Sequence, residues 1–102
     1  MILPVVTTSV SDDHIQTIDA WWRENRPVAA GLFAEELAAC IELLGRMPRA
    51  GRRYRHPHVS NLRRVLLRTS RYHVYYVVHD TQIVIHAVWH ARRGTGPELA
   101  AS

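Results

Sequence analysis

Two runs of β-branched and aromatic residues, Tyr72 to His79 and Gln82 to Trp89, flank Asp80-Thr81. That spacing predicts two antiparallel strands joined by a tight turn. Because successive side chains alternate across a strand, Val74, Tyr76 and Val78 should share one face, as should Ile83, Ile85 and Ala87, with His73 and His79 pointing the other way. One side is expected to be core and the other wet. The second run leads directly into His90-Ala-Arg-Arg93, so it delivers an imidazole and two guanidinium groups to one edge of the sheet.

Upstream, Ile2 to Thr8 reads as a short strand, with Pro4 favouring a strand start or an edge position. Ser9 and Asp12 have the spacing of a capping box, and Ile15, Ile18 and Trp22 then recur at helical intervals until Pro27 stops the pattern. Pro27 also suits the first turn of a second helix from Val28 to Met47, whose apolar positions are Ala30, Phe33, Leu37, Cys40, Ile41, Leu44 and Met47. Gly45 weakens the end of that helix and Pro48 closes it. Pro48 to Asn61 has no hydrophobic period and reads as a long loop, a kind that is usually functional or disordered. Leu62 to Arg68 reads as a further strand, and the small-residue tail from Gly94 to Ser102 is expected to fray. The order β-α-α-β-β-β predicts an α+β domain with a helical hairpin packed on one face of a small antiparallel sheet.

The length of 102 residues suits one domain spanning the whole chain. No apolar run approaches the ~20 residues of a membrane span, and Met-Ile-Leu-Pro-Val-Val lacks a basic leader, so a cytoplasmic protein with no membrane partner is expected. Cys40 is the lone cysteine, which excludes an internal disulfide or a Cys-based zinc site, and its apolar neighbours place it in the core. His56-Pro-His58 and His86 to His90 lack cysteine partners, so neither a metal nor another cofactor is expected.

Charge is segregated along the chain. Residues 1–42 hold seven acids and two arginines, residues 43–79 hold nine arginines and no acid, and residues 80–102 balance. All thirteen cations are arginine. The planar guanidinium fork binds carboxylate and phosphate in a bidentate way but cannot shuttle protons at ordinary pH. Arg49, Arg52, Arg53, Arg55, Arg63, Arg64, Arg68 and Arg71, together with His90, Arg92 and Arg93, are therefore the candidate surface for an acidic partner. Tyr72, Tyr75 and Tyr76 carry rings that can stack on bases, although strand alternation commits at least one of them to the core.

The stretches Ala-Gly-Leu-Phe-Ala-Glu-Glu-Leu, Met-Pro-Arg-Ala-Gly-Arg, Leu-Arg-Arg, Tyr-His-Val-Tyr-Tyr and Ile-Val-Ile-His-Ala-Val-Trp-His-Ala-Arg-Arg, in this order, resemble the RelE/ParE superfamily of toxins from type II toxin–antitoxin systems. The closing Val-x-His-x-Arg-Arg looks like the ParE branch in particular. The resemblance implies a small bacterial toxin neutralised by a cognate antitoxin that wraps its surface, with DNA gyrase as the target, inhibited by binding. The alternative that the superfamily implies is a RelE-like endoribonuclease that cuts messenger RNA on the ribosome, with His90, Arg64 and Arg93 as the catalytic set. Cleavage by 2′-hydroxyl attack needs groups to take and give a proton as well as cations for the phosphorane charge. Residues 43–79 contain no carboxylate and the chain no lysine, groups on which RelE-like nucleases commonly draw, which favours the gyrase inhibitor.

Overall fold

Thr8 closes the first strand and opens the first helix. In the computed structural model, which describes residues 2–92 and 96–99, β1 is Val5–Thr7 and α1 is Ser9–Asn25. The Thr8 hydroxyl accepts from the Ser11 amide at 3.1 Å and the Ser11 hydroxyl accepts from the Thr8 amide at 2.9 Å. The capping box thus sits one residue earlier than the Ser9 and Asp12 pairing. Ser11 is fully buried and its hydroxyl lies 2.9 Å from the Ile85 carbonyl, a contact that admits a small neutral group but not the carboxylate of Asp12.

A 3-10 turn, Pro27–Ala29, follows α1, and α2 runs over Leu32–Arg46, so the second helix begins four residues later than Val28. Within it Phe33, Leu37, Cys40 and Leu44 are buried as their period predicts, whereas Met47, beyond the helix end, is exposed. Burial and the nearby Glu36 push the Cys40 thiol up to about 11, so it stays protonated and serves as core.

The remaining strands are β2 (Arg52–Arg53), β3 (Arg63–Leu67), β4 (Tyr72–Val78) and β5 (Ile83–His90), in the sheet order β1-β5-β4-β3-β2. The α+β order is as expected, with the two-residue β2 added inside the arginine loop. The sheet is mixed, because β1 runs parallel to β5 while every other pair is antiparallel. Both edge strands are very short, β1 following Pro4 and β2 made of two arginines, which limits pairing with other chains.

β4 and β5 pair from Tyr72 opposite His90 to Val78 opposite Ile83, and the His79 amide donates to the Gln82 carbonyl at 2.8 Å to close the turn. The register slips between Tyr75, opposite Ala87, and Tyr76, opposite Ile85, which leaves His86 as an extra residue in β5. This bulge overturns one expected face. Ile83, Ile85 and Val88 join Val74 and Tyr76 against α2, but Ala87 turns to the opposite side with Tyr75 and Val77.

That opposite side is not wet. Val59 and Leu62 from the arginine loop and Leu99 from the C-terminal segment cover it, and Tyr75 is 2% exposed. The expected fraying of residues 94–102 is corrected at Leu99; residues 93–95 and 100–102 lie outside the described residues. Gly96 fits here because a β-carbon would come within 2.6 Å of the Tyr54 hydroxyl. With Tyr75 and Tyr76 both buried, neither can stack on a base.

Candidate functional site

His90 is the last residue of β5 and stands opposite Tyr72, the first of β4, with ring centroids 5.1 Å apart. Tyr72 in turn packs edge-on against Phe33 of α2 at 5.3 Å, so this end of the sheet opens on the helical face. Beyond Ile85, β5 has outrun the three residues of β1, and α1 takes over its edge. There His14 Nδ1 accepts from the Val88 amide at 3.2 Å, and the His14 ring lies 5.5 Å from that of Trp89. The result is a groove of about 700 Å³ with Trp21, Trp22, Tyr72 and Trp89 in its walls. Arg26, Arg71 and Arg92 also line it, with Asp13 as their acidic counterpart. Trp21 is 45% exposed, an unusual state for so large an apolar ring.

The turn that carries Arg71 is held from α2. Glu36 accepts from the Thr69 amide at 2.8 Å, the Ser70 amide at 2.9 Å and the Ser70 hydroxyl at 2.6 Å. Burial acts to raise the Glu36 carboxyl, but these hydrogen bonds outweigh it and hold the group below its ordinary value. Arg71 itself has φ 69°, a left-handed conformation costly for a residue with a β-carbon. Its backbone repays that position: the amide donates to Leu67 and the carbonyl accepts from Ala91, both at 2.8 Å, which ties the β3–β4 turn to the end of β5.

The imidazole of His90 is committed. Its Nδ1 accepts from the Arg92 amide at 3.1 Å, which in the neutral ring assigns the proton to Nε2. In that tautomer Nε2 is a donor and has no lone pair with which to take a proton from a hydroxyl.

Arg64 lies elsewhere. It stands opposite Tyr75 in the β3–β4 register, on the face away from the helices, with its guanidinium 4.6 Å from the Tyr54 ring centroid and 3.5 Å from the Tyr75 hydroxyl. His90 faces the helical side with Tyr72, so the sheet separates the two residues and does not bring them together. His73, on the Arg64 side, is held below its ordinary value by burial and by the charges of Arg64 and Arg71. Arg93 lies outside the described residues.

Most of the other arginines cluster at the far end of β4, whereas Arg68 follows Leu67, the partner of Tyr72, at the His90 end. Arg49, Arg53 and Arg63 meet beside His79 and Asp80, Arg55 lines an adjoining hollow, and Arg52 and Arg68 are exposed. Arg63 Nη1 donates to the Gly51 carbonyl at 2.8 Å and Arg53 Nη2 to Asn61 Oδ1 at 3.0 Å. Among the described residues the side-chain ion pairs are Arg23 with Asp19 and Arg46 with Glu42, on the two helices. The arginines of the loop and sheet have no carboxylate partner there.

The family model of the ParE toxin of the type II toxin–antitoxin system parDE matches residues 5–94. The chain belongs to the ParE toxin family. Its fold is also that of the chromosomal ParDE toxin–antitoxin system from P. aeruginosa, with a TM-score of 0.73 and 15% identity over 89% of this chain and 98% of that one. No curated protein matches the chain in sequence. The sequence pattern singled out the end of β5 and the arginine loop, and it passed over His14 and Glu36, which the structure places at the groove and under the β3–β4 turn. His14 had one available signal, its place one turn before Ile18 on the inner side of α1. Glu36 had none, because an acid near a helix start reads as solvated until the β3–β4 turn is seen to reach it. Among the described residues no helix is long and apolar enough to cross a membrane, and no three His, Cys, Asp or Glu side chains form a metal-holding group.

Proposed function

We propose that this ParE family member is a toxin domain spanning the chain that acts in the cytoplasm, inhibits DNA gyrase by binding, and is neutralised by an acidic antitoxin. What supports inhibitor over nuclease is that the expected set is not assembled: the sheet separates Arg64 from His90, and although Arg26, Arg71 and Arg92 share the groove with His90, the imidazole beside them has its Nδ1 bonded to the Arg92 amide. Phosphoryl transfer needs its cation and its proton-transfer group on the same few ångströms of substrate. Here the imidazole opens on the groove with its Nδ1 already bonded, while Arg64 is stacked on Tyr54 behind the sheet.

The groove suits the antitoxin. Trp21 offers an apolar anchor and Arg26, Arg71 and Arg92 a cationic rim, the complement of an amphipathic segment that carries carboxylates beside its apolar face. Purified protein added to gyrase and relaxed plasmid should block supercoiling or trap cleaved DNA, and should leave messages intact in a translating extract. Codon-specific cuts in those messages, with gyrase unaffected, would establish the RelE-like reaction instead.

A further inference from the structure

At the turn end of β4 the arginines line two joined hollows. One, of about 360 Å³, has Arg49, Arg53 and Arg63 in its wall, and the other, of about 590 Å³, adds Arg55 and Ser60; Arg53 and Asn61 belong to both. Two of the four guanidinium groups are held by hydrogen bonds. Arg63 is fixed to the Gly51 carbonyl and Arg53 to Asn61, which itself stands in the left-handed region at φ 60°. Among the described residues Asp80 is the one acid lining either hollow. Val59 and Leu62 also line the second, but they are 2% and 1% exposed and present almost no apolar surface.

We propose that these joined hollows form a trough for the phosphodiester backbone of DNA. Arginine, asparagine and serine donors are the groups that hold phosphates in protein–DNA contacts, where they position the protein without reading sequence. A peptide partner would need an apolar anchor to bind well; the trough offers only the half-buried Tyr54 and Val78 among its polar and cationic walls, whereas the groove at the opposite end of β4 carries the exposed Trp21. A phosphate chain needs no such anchor. It presents charge at regular intervals, and two hollows sharing Arg53 allow successive phosphates to be held at once. This extends the gyrase reading, since a toxin that also holds DNA would engage the enzyme on its substrate, yet it is testable without the enzyme.

The test is fluorescence anisotropy of a labelled duplex of mixed sequence with the full chain, over a range of salt. Wild-type affinity should fall linearly in log salt. The R49Q/R53Q variant should bind about tenfold or more weakly, with a salt slope shallower by about 1.8, corresponding to roughly 0.9 for each of two phosphates no longer neutralised. The charge-matched R23Q/R46Q variant, altered on the helices, should change by less than about twofold if the binding is local. Both variants must keep the wild-type circular dichroism and melting profile. Equal losses in the two variants, or no binding to duplex at low salt, would overturn the trough. So would a polyglutamate peptide that displaces the duplex and is itself released by R49Q/R53Q, because the site would then be one for carboxylates on a peptide. Supercoiling assays on the same proteins keep the two readings apart: inhibition without DNA binding overturns only the trough, and DNA binding at the trough without inhibition supports it while overturning the gyrase reading.

Discussion

The hydroxyl of Tyr76 accepts from the Gly51 amide at 2.8 Å and donates to the Pro48 carbonyl at 2.7 Å, so a fully buried side chain in the middle of the sheet fastens the start of the arginine loop. Gly51 must be glycine for this contact. A β-carbon there would come within 2.7 Å of the Tyr76 hydroxyl and 2.8 Å of the Arg64 carbonyl. The cationic trough therefore depends on a tyrosine that never touches its contents.

Replacing Tyr76 by phenylalanine keeps the ring but leaves the buried Gly51 amide unpaired. The expected loss is about 1–3 kcal/mol in denaturant unfolding. Gly51→Ala should be destabilising as well, through steric conflict. Ile85→Ala, a plain core truncation, should cost roughly 2–5 kcal/mol. Wild-type stability in Y76F would show that the hydroxyl contributes nothing to holding the loop.

Stability should also fall in acid, in two windows. His73 and His86 both titrate below the ordinary 6.5 in the folded state, chiefly through burial. The unfolded chain then binds protons first, so their contribution is full above about pH 6.5 and is lost as pH falls through the depressed folded values. Glu36, held below 4.5 by the β3–β4 turn, adds a second loss below about that pH. Melting temperatures from pH 8 to 3 should show both declines, and Glu36→Gln should flatten the lower one. A curve for that variant parallel to wild type at low pH would rule the Glu36 clamp out as the cause.

Much of this architecture was legible beforehand, and the reasons for the gaps are specific. The hairpin of β4 and β5 announces itself because its period of two is regular and its residues are β-branched. The bulge at His86 leaves no such trace, since one inserted residue changes no composition yet sends Ala87 to the other face. Gly45 was readable as a weak helix end, but its actual role is to let the first segment approach. The Leu3 amide donates to the Gly45 carbonyl at 2.9 Å, and a β-carbon on Gly45 would sit 3.0 Å from the Leu3 carbonyl. The segregation of arginine was plain from the sequence. Which arginines share a face was not, because that depends on the β3–β4 register.

The groove makes a separate prediction about the antitoxin. Binding should weaken with rising salt, because Arg26, Arg71 and Arg92 sit on an open rim where ions screen them. Arg92→Ala should weaken antitoxin binding while melting with wild type, and the R92A/R93A pair should lose toxicity at normal soluble levels. Trp21→Ala should weaken the antitoxin by a route that salt does not alter. Affinity indifferent to ionic strength would remove the electrostatic part of this interface, and continued growth arrest by R92A/R93A would remove that edge from the toxic surface.

The most direct measurement titrates toxin against a fixed amount of gyrase and, in parallel, against a translating extract, using wild type and His90→Gln. A binding inhibitor should reach full inhibition of supercoiling once toxin saturates the enzyme, and His90→Gln, which keeps a hydrogen-bonding side chain of similar reach, should change that little. Messages should stay whole with both proteins. Turnover of messages by far less toxin than ribosomes, lost by on the order of 10²-fold or more in His90→Gln and accompanied by fully active gyrase, would contradict inhibition by binding.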